Sequence, residues 1–501
     1  MSNKYTDYLD EISAEELYEG LLAYGLFSEK LPPLFTSESF YQYSLDLKQS
    51  FSKKEHDYVF FESMRDINIP RAIGIPNPMA YQRLCASLRD NWQEIKEHFH
   101  NQTDADTYKT SRIHIRKREG TKSLFKMNYQ NWRVDDSPVP DILIGKRYVV
   151  SADISTCFPS IYTHSLCWAL VGKNKSKECR EKSLWYNELD HRCMNVKSGE
   201  THGLLIGPHA SNLLSEIILT VIDKNLRSKW DYIRNIDDYT CYVETYAEAQ
   251  RFLTDLSAQL RSFDLPLNHK KTKIEELPIA STKHWARQLN AFDFSTSHGK
   301  VDYKRTQAYL DVAVSLMADN GENSAILNYA IKVLAKKELT YNAKQYFLKT
   351  ILHLAVIYPY LISLLEDYVF TPLNASYDMI SKFTQITYNK ALAQENYEAL
   401  IYAIYYSLRY DFDIKEIRSD HAISKDSCLF KLFMLLYFER RNDKDVIKAL
   451  KEHAKMFAED EFDRNWIFIY EALSFGQLTD EWKTMKKAKV SFIKPEFRSI
   501  K

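Results

Sequence analysis

Two adjacent acids, Asp237 and Asp238, interrupt a stretch that otherwise reads as strand, with Tyr232-Ile233 before them and Tyr239-Thr-Cys-Tyr-Val243 after. Side chains alternate along a strand, so a hairpin here sends one of the two acids to an open cleft and leaves the other for the opposite face or the turn. A third acid, Asp153, ends the apolar run Val149-Val150-Ser-Ala-Asp153 and is followed by a turn signal and the bulky Phe158. Carboxylates about 4 Å apart repel by roughly 4 kcal/mol at an effective dielectric near 20, and a divalent cation between them turns that cost into attraction. Acids also make ordinary turns. One acid from the first strand and one or two from the hairpin fit a two-metal site for nucleotidyl transfer, and all-oxygen ligands suit magnesium, with manganese as the alternative.

The elements that must hold these acids are a buried strand ending at Asp153, a helix entered near Pro159, and a hairpin turning at Asp237. Four further strings accompany them. Pro70-Arg71-Ala-Ile-Gly74-Ile-Pro76 precedes the strand. His202-Gly-Leu-Leu-Ile-Gly207-Pro208 leads into Ser211-Asn212, with glycines that let backbone approach a ligand closely. Leu265-Pro-Leu-Asn268-His-Lys-Lys271-Thr272-Lys273 follows the hairpin, and Asp153-Ile-Ser-Thr-Cys-Phe-Pro-Ser-Ile-Tyr-Thr-His164 extends the first acid motif.

In this order the blocks resemble the fingers and palm of a reverse transcriptase, and the longer strings around Asp153 and Glu200-Thr-His-Gly203 look like the prophage-encoded branch of the abortive-infection (Abi) reverse transcriptases. The resemblance is strong from about residue 60 to 290 and rests on arrangement alone in the remainder. It implies Asp153, Asp237 and Asp238 as catalytic acids, with Ile154 as a further cation-binding position. Arg71 and Lys271 match residues that meet the triphosphate, Lys270 and Lys273 being rivals of the latter, and Gly207 matches the turn supporting the nucleotide. Phe158 matches an aromatic gate that clashes with a 2′-hydroxyl. The implied activity is phage-defence DNA synthesis from dNTPs without a template, primed by a tyrosine of the protein, giving a single-stranded DNA product attached to a homo-oligomer. A template-copying enzyme of retron or intron type, and a non-catalytic palm scaffold, are the alternatives. The chain departs from the family at Asn235, where most members carry an aromatic residue supporting the primer end.

Composition fits an intracellular enzyme without identifying one. The 501 residues hold 67 Lys plus Arg against 67 Asp plus Glu, so no global positive field draws the chain to nucleic acid. Seven cysteines without paired ligand spacing, and no signal peptide or long apolar span, read as reduced thiols in a cytoplasmic protein that does not enter a membrane. Cys157 and Cys167 read as core.

The expected fold class is α+β: an N-terminal helical and extended segment over residues 1–60, reverse-transcriptase fingers and palm over 61–295, and an all-helical domain over 296–501. Only Gly321 and Gly476 occur after residue 300, and apolar residues there recur at helical spacing. Helical patterns cover Tyr309 to Leu316, Ile326 to Leu334, Tyr346 to Leu365, Tyr377 to Leu392, Tyr397 to Leu408, Leu429 to Phe438, Val446 to Met456 and Trp466 to Leu473. Stacked antiparallel pairs in an irregular α-solenoid, HEAT-like in character, are the expected arrangement.

Near the N-terminus, Ser13 is placed to cap a helix containing Glu15, Glu16 and Leu17, and Leu31-Pro-Pro-Leu-Phe35 reads as an extended connector. Arg112, Arg116, Lys117, Arg118, Lys122 and Lys126 alternate with Ile113, Ile115, Phe125, Tyr129 and Trp132, a mixture suited to phosphate contact and stacking as well as to an ordinary solvated surface. Arg112 is the expected second nucleotide contact. A priming tyrosine must reach the metals and withdraw, which favours the chain end and hence Tyr8 or Tyr5 among 34 tyrosines. His164 and His202 are expected to be structural.

Overall fold

The computed structural model describes residues 4–47, 50–66, 69–112, 114–118, 120–126, 137–295 and 299–498. Ile113, Tyr129 and Trp132 lie outside the described residues, as does the Lys126 side chain. Eight strands are present among the described residues. β1 (Tyr58–Asp66) and β2 (Ile69–Pro76) form a long antiparallel hairpin, and β3 (His114–Ile115) pairs with β4 (Phe125–Lys126). The remaining four, β5 (Tyr148–Asp153), β6 (Asp231–Asn235), β7 (Asp238–Val243) and β8 (Lys273–Glu276), make an antiparallel sheet in the order β6-β7-β5-β8.

Alternation along these strands gives the sheet two unlike faces. Val150, Ala152, Tyr232, Tyr239, Cys241 and Val243 belong to the main hydrophobic core, whereas Val149 and Tyr242 form a small separate cluster with Ile142 on the other side. The helix His209–Arg227 lies on the core side, where it buries Leu213, Ile217 and Ile222. The helix Tyr246–Ser262 is started by a capping box between Thr245 and Glu248 and buries Phe252 and Leu256 in the same core. By register Asp153, Asn235 and Asp238 share the opposite face, and Arg234 shares the core face.

Helices dominate after residue 300. Those at Ser324–Leu334, Tyr377–Ala393, Tyr397–Tyr410, Cys428–Arg441, Lys444–Asp460 and Phe462–Ala472 follow the apolar periodicity. One expected helix is divided: Tyr341–Ile357 ends before Pro359, whose ring and missing N–H resist its continuation, and a 3-10 turn, Pro359–Leu364, follows.

The helical region is joined to the front of the chain. The Glu398 carboxylate accepts from the Ser63 hydroxyl at 2.8 Å and the Met64 amide at 2.7 Å, and Asp463 accepts from the Asn77 side chain at 2.9 Å. Residues near the N-terminus also pair with those near the C-terminus, Thr36 N donating to the Phe492 carbonyl and Lys494 N to that of Leu34. Ser13 caps Ala14–Leu22 in a capping box with Glu16. All seven cysteines are free, with Cys157 and Cys167 among the buried ones. Among the described residues no helix is long and apolar enough to cross a membrane.

Candidate functional site

Asp153 is the last residue of β5 and Asp238 the first of β7, and they stand directly opposite one another. Ile236 and Asp237 form the two-residue turn between β6 and β7. Ile236 lies in the left-handed region at φ 58, unusual for a β-branched residue. The Ile154 amide donates to the Asp237 carbonyl at 3.1 Å, which ties the turn to the end of β5. Each of the three acids therefore offers an oxygen within 4.8 Å of the others. Of the two expected places for the second acid, the opposite face or the turn, Asp237 takes the turn, where strand alternation does not govern it and it still converges with Asp153 and Asp238.

The three acids do not share one environment. Asp153 is buried, Asp237 half-buried and Asp238 open at its edge. Burial, then the charge of Asp237 and the hydrogen bond and charge of Asp153, push the Asp238 carboxyl up to about 7. Asp237 is also raised, by burial and by Asp153, against a downward pull from Lys271 and Arg71. The Asp153 carboxylate accepts from Asn268 Nδ2 at 2.8 Å and lies 3.1 Å from Lys271 Nζ, and the Asn268 amide donates to the Asp153 carbonyl at 2.7 Å. Asn235 stands across from Asp238, and its amide oxygen is buried without a hydrogen-bond partner. Hard carboxylate oxygens, mutual repulsion and an orphaned amide oxygen beside them fit a divalent cation and its ligands.

Arg71 lies on β2, close enough to act on Asp237 electrostatically. Gly207 has φ 127, and a Cβ there would sit 3.0 Å from Ile73 Cγ2, so its loop packs closely onto the strand that carries Arg71. The same loop is fixed by the Gly74 amide, which donates to the Ile206 carbonyl at 2.9 Å. Phe158 lies in the short helix Cys157–Ser160 after Asp153, half-buried against the core. Arg112 is buried, and its amide donates to the Arg234 carbonyl at 2.7 Å, which sets it beside β6. His164 bonds Asp190, and that carboxylate raises its basicity.

One expectation needs correction. Tyr5 and Tyr8 are buried and do not sit on a loose chain end: the Tyr5 hydroxyl donates to Glu216 at 3.0 Å, and the Tyr8 ring lies 4.9 Å from the Lys109 ammonium and 5.1 Å from the Arg116 guanidinium. The basic run after Arg112 is partly spent on the protein itself, with Lys117 paired to Glu16 at 2.7 Å and Lys122 to Glu19 at 2.6 Å. Two residues that sequence reasoning did not single out also matter, Asn268, which holds Asp153, and Arg234, which is fully buried three positions before Asp237. An arginine inside a strand that otherwise feeds the core, together with acids on the apolar helix after Pro208, was the available signal.

Residues 75–309 match the family model described as reverse transcriptase (RNA-dependent DNA polymerase). No curated protein matches the chain. Among solved structures, the chain is similar to telomerase from Candida albicans in complex with a TWJ fragment of telomeric RNA, at 11% identity and a TM-score of 0.31, over 70% of this chain and 65% of that one. It is also similar to apo telomerase from Candida tropicalis, at 10% identity and a TM-score of 0.32, over 81% of this chain and 70% of that one. The chain thus spans just under two thirds of the first of these. The family match runs from the end of β2 through the three acids to the start of the helix Tyr303–Asp319, and within it the chain carries a reverse-transcriptase domain of mixed α/β content, followed by a helical C-terminal region.

Proposed function

We propose that this protein is an Abi-type DNA polymerase that joins deoxynucleotides by two-metal nucleotidyl transfer, without a template and with one of its own tyrosines as primer. The convergence of Asp153, Asp237 and Asp238 carries the reading. Magnesium or manganese would be held by these acids, with Ile154 adjoining. A bound cation supplies charge that activates the attacking hydroxyl and stabilises the transferring phosphate. The chain's own residues do the rest. Asn268 orients Asp153, Lys271 and Arg71 draw the triphosphate to the acids, and Arg112 serves as a further nucleotide contact. Gly207 shapes the pocket by allowing its loop to lie on β2. The Phe158 ring excludes the 2′-hydroxyl, so Phe158→Ala admits ribonucleotides.

Tyr8 is the preferred primer. Its ring lies close to both Lys109 and Arg116, a basic setting suited to a phosphate. The surrounding scheme places an N-terminal segment at 1–60, fingers and palm at 61–295 and a HEAT-like solenoid at 296–501, acting in phage defence as a cytoplasmic homo-oligomer with covalently attached single-stranded DNA. Purified protein incubated with magnesium and labelled deoxynucleotides, with and without template, tests this. Label on the protein without template, lost in Tyr8→Phe, is the expected result. Strict template dependence favours the retron-like alternative, and no incorporation with either favours the scaffold.

A further inference from the structure

We propose that Arg234 is a positioning residue of this centre: from the buried side of the hairpin it clamps the turn and so sets the geometry in which Asp237 meets a divalent cation. The inference rests on the reading of the three acids as cation ligands. Arg234 is fully buried and donates on every side. Its Nε lies 2.9 Å from Asp223 Oδ2, Nη1 lies 3.0 Å from Glu216 Oε2, and Nη2 bonds both Glu216 and Asp223. A buried ion pair needs no more than these carboxylates. Nη1 in addition donates to the Ile236 carbonyl at 2.8 Å.

That carbonyl belongs to the peptide linking Ile236 to Asp237, and Ile236 is the residue held at φ 58. A β-branched residue in the left-handed region is strained and persists only where its surroundings enforce it. Beyond Asp237 the next carbonyl is held as well, by the Ile154 amide at 3.1 Å. Asp237 is therefore pinned through the peptide on each side of it, once from the buried ionic cluster and once from the end of the strand bearing Asp153. The cluster is itself anchored, since the Tyr232 hydroxyl donates to Asp223 at 2.9 Å and the Tyr5 hydroxyl to Glu216 at 3.0 Å. Outer groups that orient ligands typically alter cation affinity by about 10- to 100-fold when removed.

The test measures Mn2+ binding directly by electron paramagnetic resonance, beside thermal melting, on the full chain. Arg234→Lys keeps the charge, but a single ammonium cannot span Asp223, Glu216 and the Ile236 carbonyl. Glu216→Gln weakens the ionic cluster and leaves the bond to Ile236. We expect Arg234→Lys to bind Mn2+ about tenfold more weakly and Glu216→Gln to stay within about twofold of the parent, even where both melt lower. Equal losses that track melting temperature, or an unchanged affinity in folded Arg234→Lys, overturn the proposal. Should Arg234→Lys not fold, Ile236→Gly loosens the same peptide from the turn's side; weaker Mn2+ binding at a retained melting temperature supports the clamp, and unchanged binding overturns it. Parent protein that binds no Mn2+, or binding unaffected by Asp237→Asn, instead removes the cation reading on which the clamp depends.

Discussion

The two faces of the β6–β7 hairpin hold carboxylates in two electrostatic settings. Behind it, Glu216 and Asp223 enclose Arg234, whose guanidinium is fully buried and meets both acids, so the protein sets one cation of its own between two buried carboxylates. In front, Asp153, Asp237 and Asp238 converge, with Lys271 in contact with Asp153 and Arg71 acting on Asp237, and burial together with mutual repulsion still raises Asp237 and Asp238. The same side-chain type thus gives a closed, fully buried ionic cluster on one face and, on the other, a cluster that opens toward solvent at Asp238. Acids that open toward solvent are the ones an external cation can reach.

Removing members of each cluster should break the comparison in different ways. Asp237→Ala, on the front face, is expected to lower nucleotide incorporation by roughly a thousandfold or more while the metal-free protein melts no lower than the parent, because a like-charged neighbour has gone. Incorporation near the parent level would end the assignment. Arg234→Met, on the rear face, is expected to cost about 3–5 kcal/mol in chemical denaturation, since it strands two buried carboxylates. If that variant were as stable as the parent, the rear carboxylates would not depend on Arg234.

The front of the hairpin was more legible in the sequence than the rear. Asp153 and Asp238 sit on strands whose apolar alternation assigns them a face, and register then sets them opposite one another. Asp237 joins them through the backbone of a turn, where strand alternation no longer assigns a face. Arg234 was missed because an arginine is by default a solvated side chain, and its partners Glu216 and Asp223 reveal themselves only as acids seven residues apart on a helix that is otherwise apolar at those turns. The N-terminal tyrosines misled for a related reason. The partner of Tyr5 lies 211 residues away, a contact no local pattern announces. Likewise the helical periodicity after residue 300 was readable, whereas the bond from Glu398 to the β1 strand was not.

Glu398 sharpens the comparison as a third kind of buried acid, held by hydrogen bonds from Ser63 and Met64, with a downward pull from Lys30. Burial raises it from the ordinary 4.5 to about 7. Between those values the folded chain keeps a proton that the unfolded chain has released, so the stability it contributes is present below pH 4.5 and is lost as the pH rises to 7. Glu398→Gln resembles the protonated acid. It should match the parent near pH 4.5 and exceed it above pH 7 by on the order of 1–3 kcal/mol, read by urea denaturation at both pH values. A constant difference across that range would show that Glu398 does not titrate there.

Lys271 gives the smallest effect and separates two roles on the front face. Its ammonium pulls both Asp237 and Asp238 downward, and more than half of its side chain is exposed, so its field is screened. As a local cation it competes with any divalent ion for the same carboxylates. Lys271→Gln should therefore tighten Mn2+ binding, by roughly two- to fivefold given that about 1 kcal/mol remains after screening. If Lys271 also draws the triphosphate, the same variant should incorporate nucleotide about tenfold more slowly despite binding the cation better, because a charge-assisted contact to phosphate has been lost. Tighter binding with unchanged incorporation would leave Lys271 as a mere placeholder for the cation. Weaker binding would contradict that competition, because removing a positive neighbour cannot by its charge lower the attraction of these carboxylates for a cation.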